Sequence, residues 1–312
     1  MDCVVTGGAG FIGSNLVDAL VARGDRVHVI DTLITGKREN LSGAIAAGAV
    51  LHELDVRDAE AVLALFEQVR PQLVFHLAAQ IDVRHSVEDP AADAQVNVLG
   101  AINVLVAALS VGANKVVNTS TGGGLYGDAE LLPTPEDHPI RPMAPYGQSK
   151  LAAEGYCELY TRLHGLQTVS LRYGNVYGPR QDVHGEAGVV ALFCGCLIEG
   201  RTPRIYGDGL QTRDWVDVAD VVRANLLAAE AAELTGPVNI GHGQETSVLD
   251  LVGALRTVGD ARGLVMPEPV LEPARLGEVR RSCLNVDRAH NELGWTAEVS
   301  LHDGLQRILA GL

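Results

Sequence analysis

Short apolar runs rich in β-branched residues alternate with longer stretches in which apolar side chains recur every three or four positions. The first pattern predicts buried strands and the second predicts amphipathic helices. In the first half of the chain, strands are predicted at residues 3–6, 27–30, 50–54, 73–77, 116–119 and 168–173. Helices are predicted at residues 12–23, 59–68, 91–111 and 150–164. Strand and helix in regular alternation imply right-handed crossovers and a parallel sheet covered on both faces. The expected fold is therefore α/β, a doubly wound parallel (Rossmann) sheet. Beyond Gly178 the pattern changes. Residues 179–188 read as a polar loop, 189–199 as a helix, and turns rich in Gly and Pro run to Gly209. A helix over 217–232 and a strand over 238–240 follow. The expected organisation is a Rossmann domain over residues 1–178, rejoined by segments near 211–241, with a smaller C-terminal lobe drawn mainly from 179–312. There is no internal repeat.

Composition narrows the function classes. The 312 residues are 47% hydrophobic and 20% charged, which excludes a disordered chain and a fibrous repeat. The formal net charge of −15 repels polyphosphate, and no basic stripe offsets it. Nucleic acid is not an expected partner, whereas one phosphate group can still be held by a few local donors. The cysteines at 3, 157, 194, 196 and 283 fit no disulfide framework, and Cys194-Gly-Cys196 is one residue short of a zinc knuckle. They are expected to be reduced thiols, with no metal bound. No targeting segment is expected before the first strand, and no apolar run long enough for a membrane span is expected. A soluble cytoplasmic protein with no membrane partner is expected.

Candidate chemistry begins at the first turn. Gly7, Gly10 and Gly13 follow a strand directly and open a helix. Such a turn lets the backbone approach a pyrophosphate at a helix N-terminus, and the last glycine lets the helix pack on the strand. A glycine triplet also suits a flexible turn, but its surroundings favour a dinucleotide. Asp31 ends the second strand, 18 residues after Gly13, where a carboxylate accepts from ribose hydroxyls. A 2′-phosphate is repelled there, so NAD is expected rather than NADP. Asp55 follows the third strand, placed to accept from an adenine amino group or, alternatively, to cap a helix.

Tyr146 and Lys150 are four residues apart at the start of a predicted helix and so share a face. A lysine cation and an oxidised nicotinamide both lower a phenol pKa, which turns tyrosine into a base for a substrate hydroxyl. The alternative is a surface pair. The strand ending in Asn118-Thr119-Ser120-Thr121 brings hydroxyls to the carboxyl edge of the sheet, where such folds bind ligands.

The glycine turn, the hydroxyl-bearing strand end and the YxxxK helix, in that order, resemble the extended short-chain dehydrogenases/reductases and, more narrowly, the UDP-sugar 4-epimerases. The resemblance covers nearly the whole chain. Its markers are residues 6–14 (TGGAGFIGS), 75–80 (FHLAAQ), 173–180 (YGNVYGPR), 207–214 (GDGLQTRD) and 275–278 (RLGE). It implies an isomerase that epimerises a UDP-hexose at C4 with NAD, through a transient 4-keto sugar. UDP-glucose/UDP-galactose is the expected pair. Ser282, four residues after the ribose carboxylate, is small enough to leave room for an N-acetyl group. Arg84, Arg180 and Arg281 are the candidates to meet a C6 carboxylate, and each reads equally as a surface cation.

By the same resemblance Tyr146 is the base, Lys150 its electrostatic partner and Thr121 the hydroxyl that holds the sugar O4. Ser120 is the alternative for that last role, because the Gly122-Gly123-Gly124 loop is one residue longer than usual. Gly7, Gly10, Phe11, Ile12, Gly13, Asp31, Thr35, Gly36, Asp55, Val56, Leu77, Ala78 and Ala79 are implied to line the cofactor. Asn175, Val190, Tyr206, Arg213, Arg275 and Glu278 are implied to meet the UDP-sugar, with Tyr206 equally readable as a core aromatic. Glu278 stands where aspartate is usual. Related dehydratases and decarboxylases place a carboxylate directly after the strand-end hydroxyl, where this chain has Gly122 and Gly123. The helices at 91–111 and 150–164 are implied to form a four-helix homodimer contact. An NAD-sensing regulator and a net oxidoreductase that releases NADH are the alternative classes.

Overall fold

The computed structural model describes residues 1–182, 188–274 and 279–311. Six strands form in the first half, namely β1 (Asp2–Thr6), β2 (Arg26–Asp31), β3 (Val50–Glu53), β4 (Leu73–His76), β5 (Lys115–Thr121) and β6 (Gln167–Tyr173). Short strands follow, β7 (Asn175–Tyr177), β8 (Arg204–Tyr206), β9 (Thr212–Arg213) and β10 (Trp215–Asp217). The last are β11 (Gly236–Ile240), β12 (Thr246–Ser247) and β13 (Val270–Glu272). The seven-stranded sheet has the order β11-β6-β5-β4-β1-β2-β3, with every pairing parallel. The order reverses beside β1, so crossovers cover both faces, as the alternation predicts. The predicted strand over 238–240 is part of β11, which returns to this sheet beside β6.

The early helices are α1 (Phe11–Ala22), α2 (Ser42–Ala46), α3 (Ala59–Val69), α4 (Val83–Glu88), α5 (Pro90–Ala94) and α6 (Gly100–Ser110). After β5 come α7 (Gly122–Leu125) and α8 (Pro145–His164). The later ones are α9 (Val189–Glu199), α10 (Val218–Glu230), α11 (Val248–Asp260), α12 (Asp287–Leu293) and α13 (Leu301–Gly311). One face of the sheet packs on α1 and α10, through Leu16, Leu20, Val117 and Val221. The other packs on α3, α6 and α8, through Val62, Phe66, Val104, Val116 and Cys157. A further apolar cluster joins α9, α11 and α13 through Phe193, Leu251, Leu255 and Leu305.

Two helices differ from the sequence reading in ways that matter. The predicted helix over 91–111 is interrupted by a π-helical segment at Gln95–Leu99, between α5 and α6. This continuous Pro90–Ser110 stretch is, by length and hydropathy, apolar enough to cross a membrane, contrary to the expectation. Here Val104, Leu105, Ala107 and Ala108 pack into the core beside the sheet instead. Helix α8 starts at Pro145, five residues earlier than the predicted 150, because proline suits a first helical position where no N–H is needed. Tyr146 therefore lies inside the first turn and Lys150 one turn further on.

A buried ion pair docks α8 on the sheet. Arg172 of β6 donates from Nη2 to Glu154 Oε2 (2.7 Å) and from Nε to Oε1 (3.0 Å), both side chains being 3% exposed. Its Nη1 also donates to the Tyr126 hydroxyl at 2.8 Å and the Glu136 carbonyl at 3.0 Å. Tyr126 in turn donates to Asn239 Oδ1 of β11 at 2.9 Å. Removing one partner of such a pair strands the other charge in a dry site, which costs about 3–5 kcal/mol. Glu154→Ala should therefore lose about that much stability in denaturant unfolding. A loss below about 1 kcal/mol would show that solvent reaches Arg172.

Candidate active site

The site forms along the carboxyl ends of β1, β2, β4 and β5. At the β1–α1 turn Gly7 has φ +71°, and a Cβ there would lie 2.6 Å from the Ala78 backbone nitrogen. A Cβ on Gly13 would strike the Gly7 carbonyl. These glycines let β1, α1 and the segment after β4 meet backbone to backbone. The N-cap of α1 is Gly10, with no side-chain cap, so no side chain takes up the first amides of the helix. An anion is the natural partner for such a helix end. Phe11 and Ile12 form its first turn.

Asp31 is buried and braces this turn. Its Oδ2 accepts from the Ala9 N–H (2.9 Å) and its Oδ1 from the Leu33 N–H (2.8 Å). Gly36 packs closely over the same carboxylate, and Thr35 is exposed beside it. The Thr6 hydroxyl accepts the Ala78 N–H (3.2 Å), which leaves its proton for His76 Nδ1 at 2.8 Å. Burial and the nearby Lys150 charge lower His76 to about 3, so the ring is neutral. Leu77 and Ala79 flank Ala78 at this turn.

The Asp55 carboxylate is held by Arg57, from Nε at 2.9 Å and Nη2 at 2.6 Å. The cap of α3 is Asp58, which accepts from the Ala61 N–H at 3.0 Å. The N-cap alternative for Asp55 is thereby corrected, because the helix starts one turn later. Val56 beside it is buried.

Tyr146 and Lys150 lie one turn apart on α8, which packs against β5. The Thr121 hydroxyl accepts the Gly124 N–H at 3.0 Å, and the space beside Gly124 is bounded by Thr121 Oγ1 and the Tyr146 ring. Adjacent strand residues face opposite ways. Ser120 accordingly points to the other face, where its hydroxyl is buried without a hydrogen-bond partner. Lys150 Nζ donates to the Thr119 carbonyl at 3.0 Å. Burial lowers its ammonium to about 8, opposed by the charge of Asp93 and then that of Glu154. Burial raises the Tyr146 phenol to about 12, and Asp93 adds to the rise. A cation arriving beside the phenol acts in the opposite sense.

Beyond Thr121, Gly122 packs against Leu284, while a Cβ on Gly123 would meet nothing closer than Asn175 Oδ1 at 3.8 Å. This side of the pocket is open and carries no acid or base from positions 122–124. Asn175 lies on β7, Arg213 on β9 and Tyr206 on β8, all partly buried. Val190, in the first turn of α9, has a fully buried side chain in the α9 cluster. Arg180 is paired with Asp18 at 2.5 Å and Arg281 with Glu245 at 2.5 Å, which favours their reading as surface cations. Arg84 is also exposed. The predicted Arg275 and Glu278 lie outside the described residues.

Several polar groups of the site escape a motif reading. Asp214 is fully buried beside Arg213 and accepts N–H bonds from His242 (2.5 Å), Leu284 (3.0 Å) and Gly243 (3.1 Å). It thereby ties β9 to two C-terminal loops. Asp93, Gln80 and Asn97 form a second buried group. The sequence signal for Asp93 is plain in retrospect, since it is the one charged residue between positions 90 and 114. The five cysteines are free and buried, as expected. No group of three or more metal-ligating side chains occurs among the described residues.

The model of the NAD dependent epimerase/dehydratase family matches residues 3–241. A curated relative, the UDP-glucose 4-epimerase of Mycolicibacterium smegmatis, is 44% identical over 98% of this chain and 97% of its own. The crystal structure of the Thermotoga maritima UDP-glucose 4-epimerase with UDP-glucose is 43% identical, with a TM-score of 0.94 over 100% of this chain and 98% of that one. That of the Thermus thermophilus UDP-glucose 4-epimerase with NAD is 42% identical, with a TM-score of 0.90 over the same shares.

Proposed function

The chain belongs to the NAD-dependent epimerase/dehydratase family, and we propose that it is an isomerase interconverting UDP-glucose and UDP-galactose at C4 with NAD as cofactor. The observation that carries this reading is Tyr146 beside the Thr121 turn and a buried lysine, with three glycines following Thr121. One base is then available at the reacting hydroxyl, and positions 122–124 supply no second acid. Dehydration and decarboxylation need that second group, whereas epimerisation does not.

The residues fit a dinucleotide. A glycine-crowded turn, an α1 N-terminus without a side-chain cap and a carboxylate at the end of β2 suit pyrophosphate and ribose. Asp31 retains acceptor capacity beyond its two amides for the ribose hydroxyls. Gly7, Gly10, Phe11, Ile12 and Gly13 take the pyrophosphate, Thr35 and Gly36 the adenosine ribose, and Asp55 with Val56 the adenine. Leu77, Ala78 and Ala79 line the opposite wall. Residues 1–178 with the returning 211–241 segment hold NAD, and the remainder mainly holds the sugar nucleotide. Asn175, Arg213 and Arg275 meet the diphosphate, Tyr206 and Val190 the uracil side, and Glu278 its ribose.

NAD⁺, when bound, would supply the acceptor for the C4 hydride and the donor for its return. Thr121 orients the sugar O4 toward Tyr146. The Tyr146 phenolate takes the O4 proton as hydride leaves C4, and Lys150 stabilises the phenolate. The 4-keto sugar turns its other face within the open side at Gly123, held by its diphosphate. Tyr146 then gives the proton back. A regulator that merely senses NAD has no use for a buried base and ammonium at this edge.

Exposed Val87, Leu99 and Val106 on the α4–α6 stretch, with Tyr156 and Leu163 on α8, support a homodimer through these helices. Cytoplasmic residence, with neither membrane nor nucleic acid as partner, accords with the acidic composition. With NAD-loaded protein and UDP-glucose, Tyr146→Phe should lower kcat about 10²–10⁴-fold, while near-normal turnover would remove Tyr146 from the reaction. Sedimentation equilibrium should return twice the 33.0 kDa chain mass, and a monomer would dismiss the helix contact.

A further inference from the structure

Asp93 is a fully buried carboxylate that no step above uses. Its Oδ1 accepts from Gln80 Nε2 and from Asn97 Nδ2, both at 3.0 Å. Its Oδ2 is buried with no hydrogen-bond partner. Gln80 and Asn97 are themselves locked together. The Gln80 N–H donates to Asn97 Oδ1 and Asn97 Nδ2 donates to the Gln80 carbonyl, each at 2.9 Å. The π-helical segment turns Asn97 inward to make these bonds. Asp93, on α5, is thus clamped by the segment that follows β4 and by the π-helical segment, and α5 packs against α8. Two amide donors on one oxygen mark it as an acceptor. A buried carboxylate with its second oxygen unbonded is costly unless a cation offsets its charge. The buried cation on the helix that α5 packs against is Lys150, one turn from Tyr146, and the Asp93 charge acts to raise both groups.

We propose that Asp93 is a positioning residue of the Tyr146–Lys150 pair. Clamped by Gln80 and Asn97, its carboxylate is the buried counter-charge that keeps the Lys150 ammonium charged and lets Tyr146 hold its proton as readily as it releases it. The inference rests on the reading of Tyr146 and Lys150 as the reacting pair. Epimerisation uses the tyrosine in both directions, so a site tuned only for proton removal stalls on the return step. Lys150 alone favours the phenolate, and Asp93 opposes it.

The other charges around the pair leave this role to Asp93. On α8 itself Glu154 is engaged by Arg172, and Cys157 is a buried thiol that burial pushes up to about 12. On β4 the neutral His76 faces Lys150. On α4 Arg84, His85 and Glu88 are exposed. On β5 Lys115 is bound at the far end of the strand to the Ala231 and Leu234 carbonyls. The π-helical segment, α6, α7 and β11 carry no charged side chain.

The chain has three lysines, Lys37, Lys115 and Lys150, so ¹³C-lysine NMR of the protein as purified resolves each side chain through its pH titration. Asp93→Asn keeps an acceptor for Gln80 and Asn97 and removes the charge. The Lys150 midpoint should then fall by about one pH unit, with Lys115 unmoved as the internal control. The acid limb of the kcat/KM profile with UDP-glucose should move to lower pH in the same variant, and D93E should restore both. An unchanged Lys150 midpoint in D93N overturns the proposal, whatever the activity. A lower rate on an unshifted pH profile also overturns it, as a structural effect. Should D93N fail to fold, Asp93→Ser is the second neutral variant, and failure of both beside a native D93E makes the carboxylate a folding element and overturns the role. Because the lysine titration needs no substrate, it stands even if UDP-glucose is not turned over.

Discussion

The bond from the Lys150 ammonium to the Thr119 carbonyl joins the first helical turns of α8 to the end of β5, and the placement of the reacting groups follows from it. A lysine so deeply buried keeps its charge only where backbone oxygens and carboxylates surround it. The Thr119 carbonyl of β5 supplies the bond, and the Asp93 carboxylate of α5 is the proposed counter-charge. Once α8 is pinned there, Tyr146 one turn earlier can only face the strand end, where Thr121 meets it. The Glu154–Arg172 pair fixes the same helix one turn later, so its position along the sheet is set at two points.

The glycine turn imposes a second constraint on the opposite wall. Because Gly7 touches the backbone at Ala78, the segment after β4 cannot move without moving the end of β1. That segment continues to Gln80, which Asn97 and Asp93 hold from the helix above. The proposed dinucleotide wall at Gly7 and Ala78 and the buried Asp93 group are therefore joined through one continuous set of backbone contacts and amide bonds. The Thr121 hydroxyl and the Lys150 ammonium are held by bonds within the protein itself.

Much of this was legible in the sequence because the signals are local. The Gly7–Gly13 turn, Asp31 and the four-residue spacing of Tyr146 and Lys150 each depend on one strand end or one helical turn, and the structure puts them where the spacing indicates. Pro145 could have moved the predicted α8 start to its true place, since proline marks a first helical position. The choice between Thr121 and Ser120 could not be read, because it depends on where β5 ends. The small strands β7–β10 were missed, being too short to show a period and dependent on distant partners such as β12 and β13. The π-helical segment left no mark on an apolar run. Asp93 was overlooked because it carries no motif, although a solitary charge in an apolar helix is costly enough to ask what it faces.

The account stands on hydride leaving C4 and returning to the same carbon while the protein keeps its cofactor. The direct measurement is proton NMR of UDP-[4-²H]glucose incubated with the protein as purified and no added NAD. The account predicts that the anomeric signal of UDP-galactose grows in with deuterium retained at C4. Product carrying solvent hydrogen at C4, or turnover that stops after one equivalent with release of NADH, would contradict it.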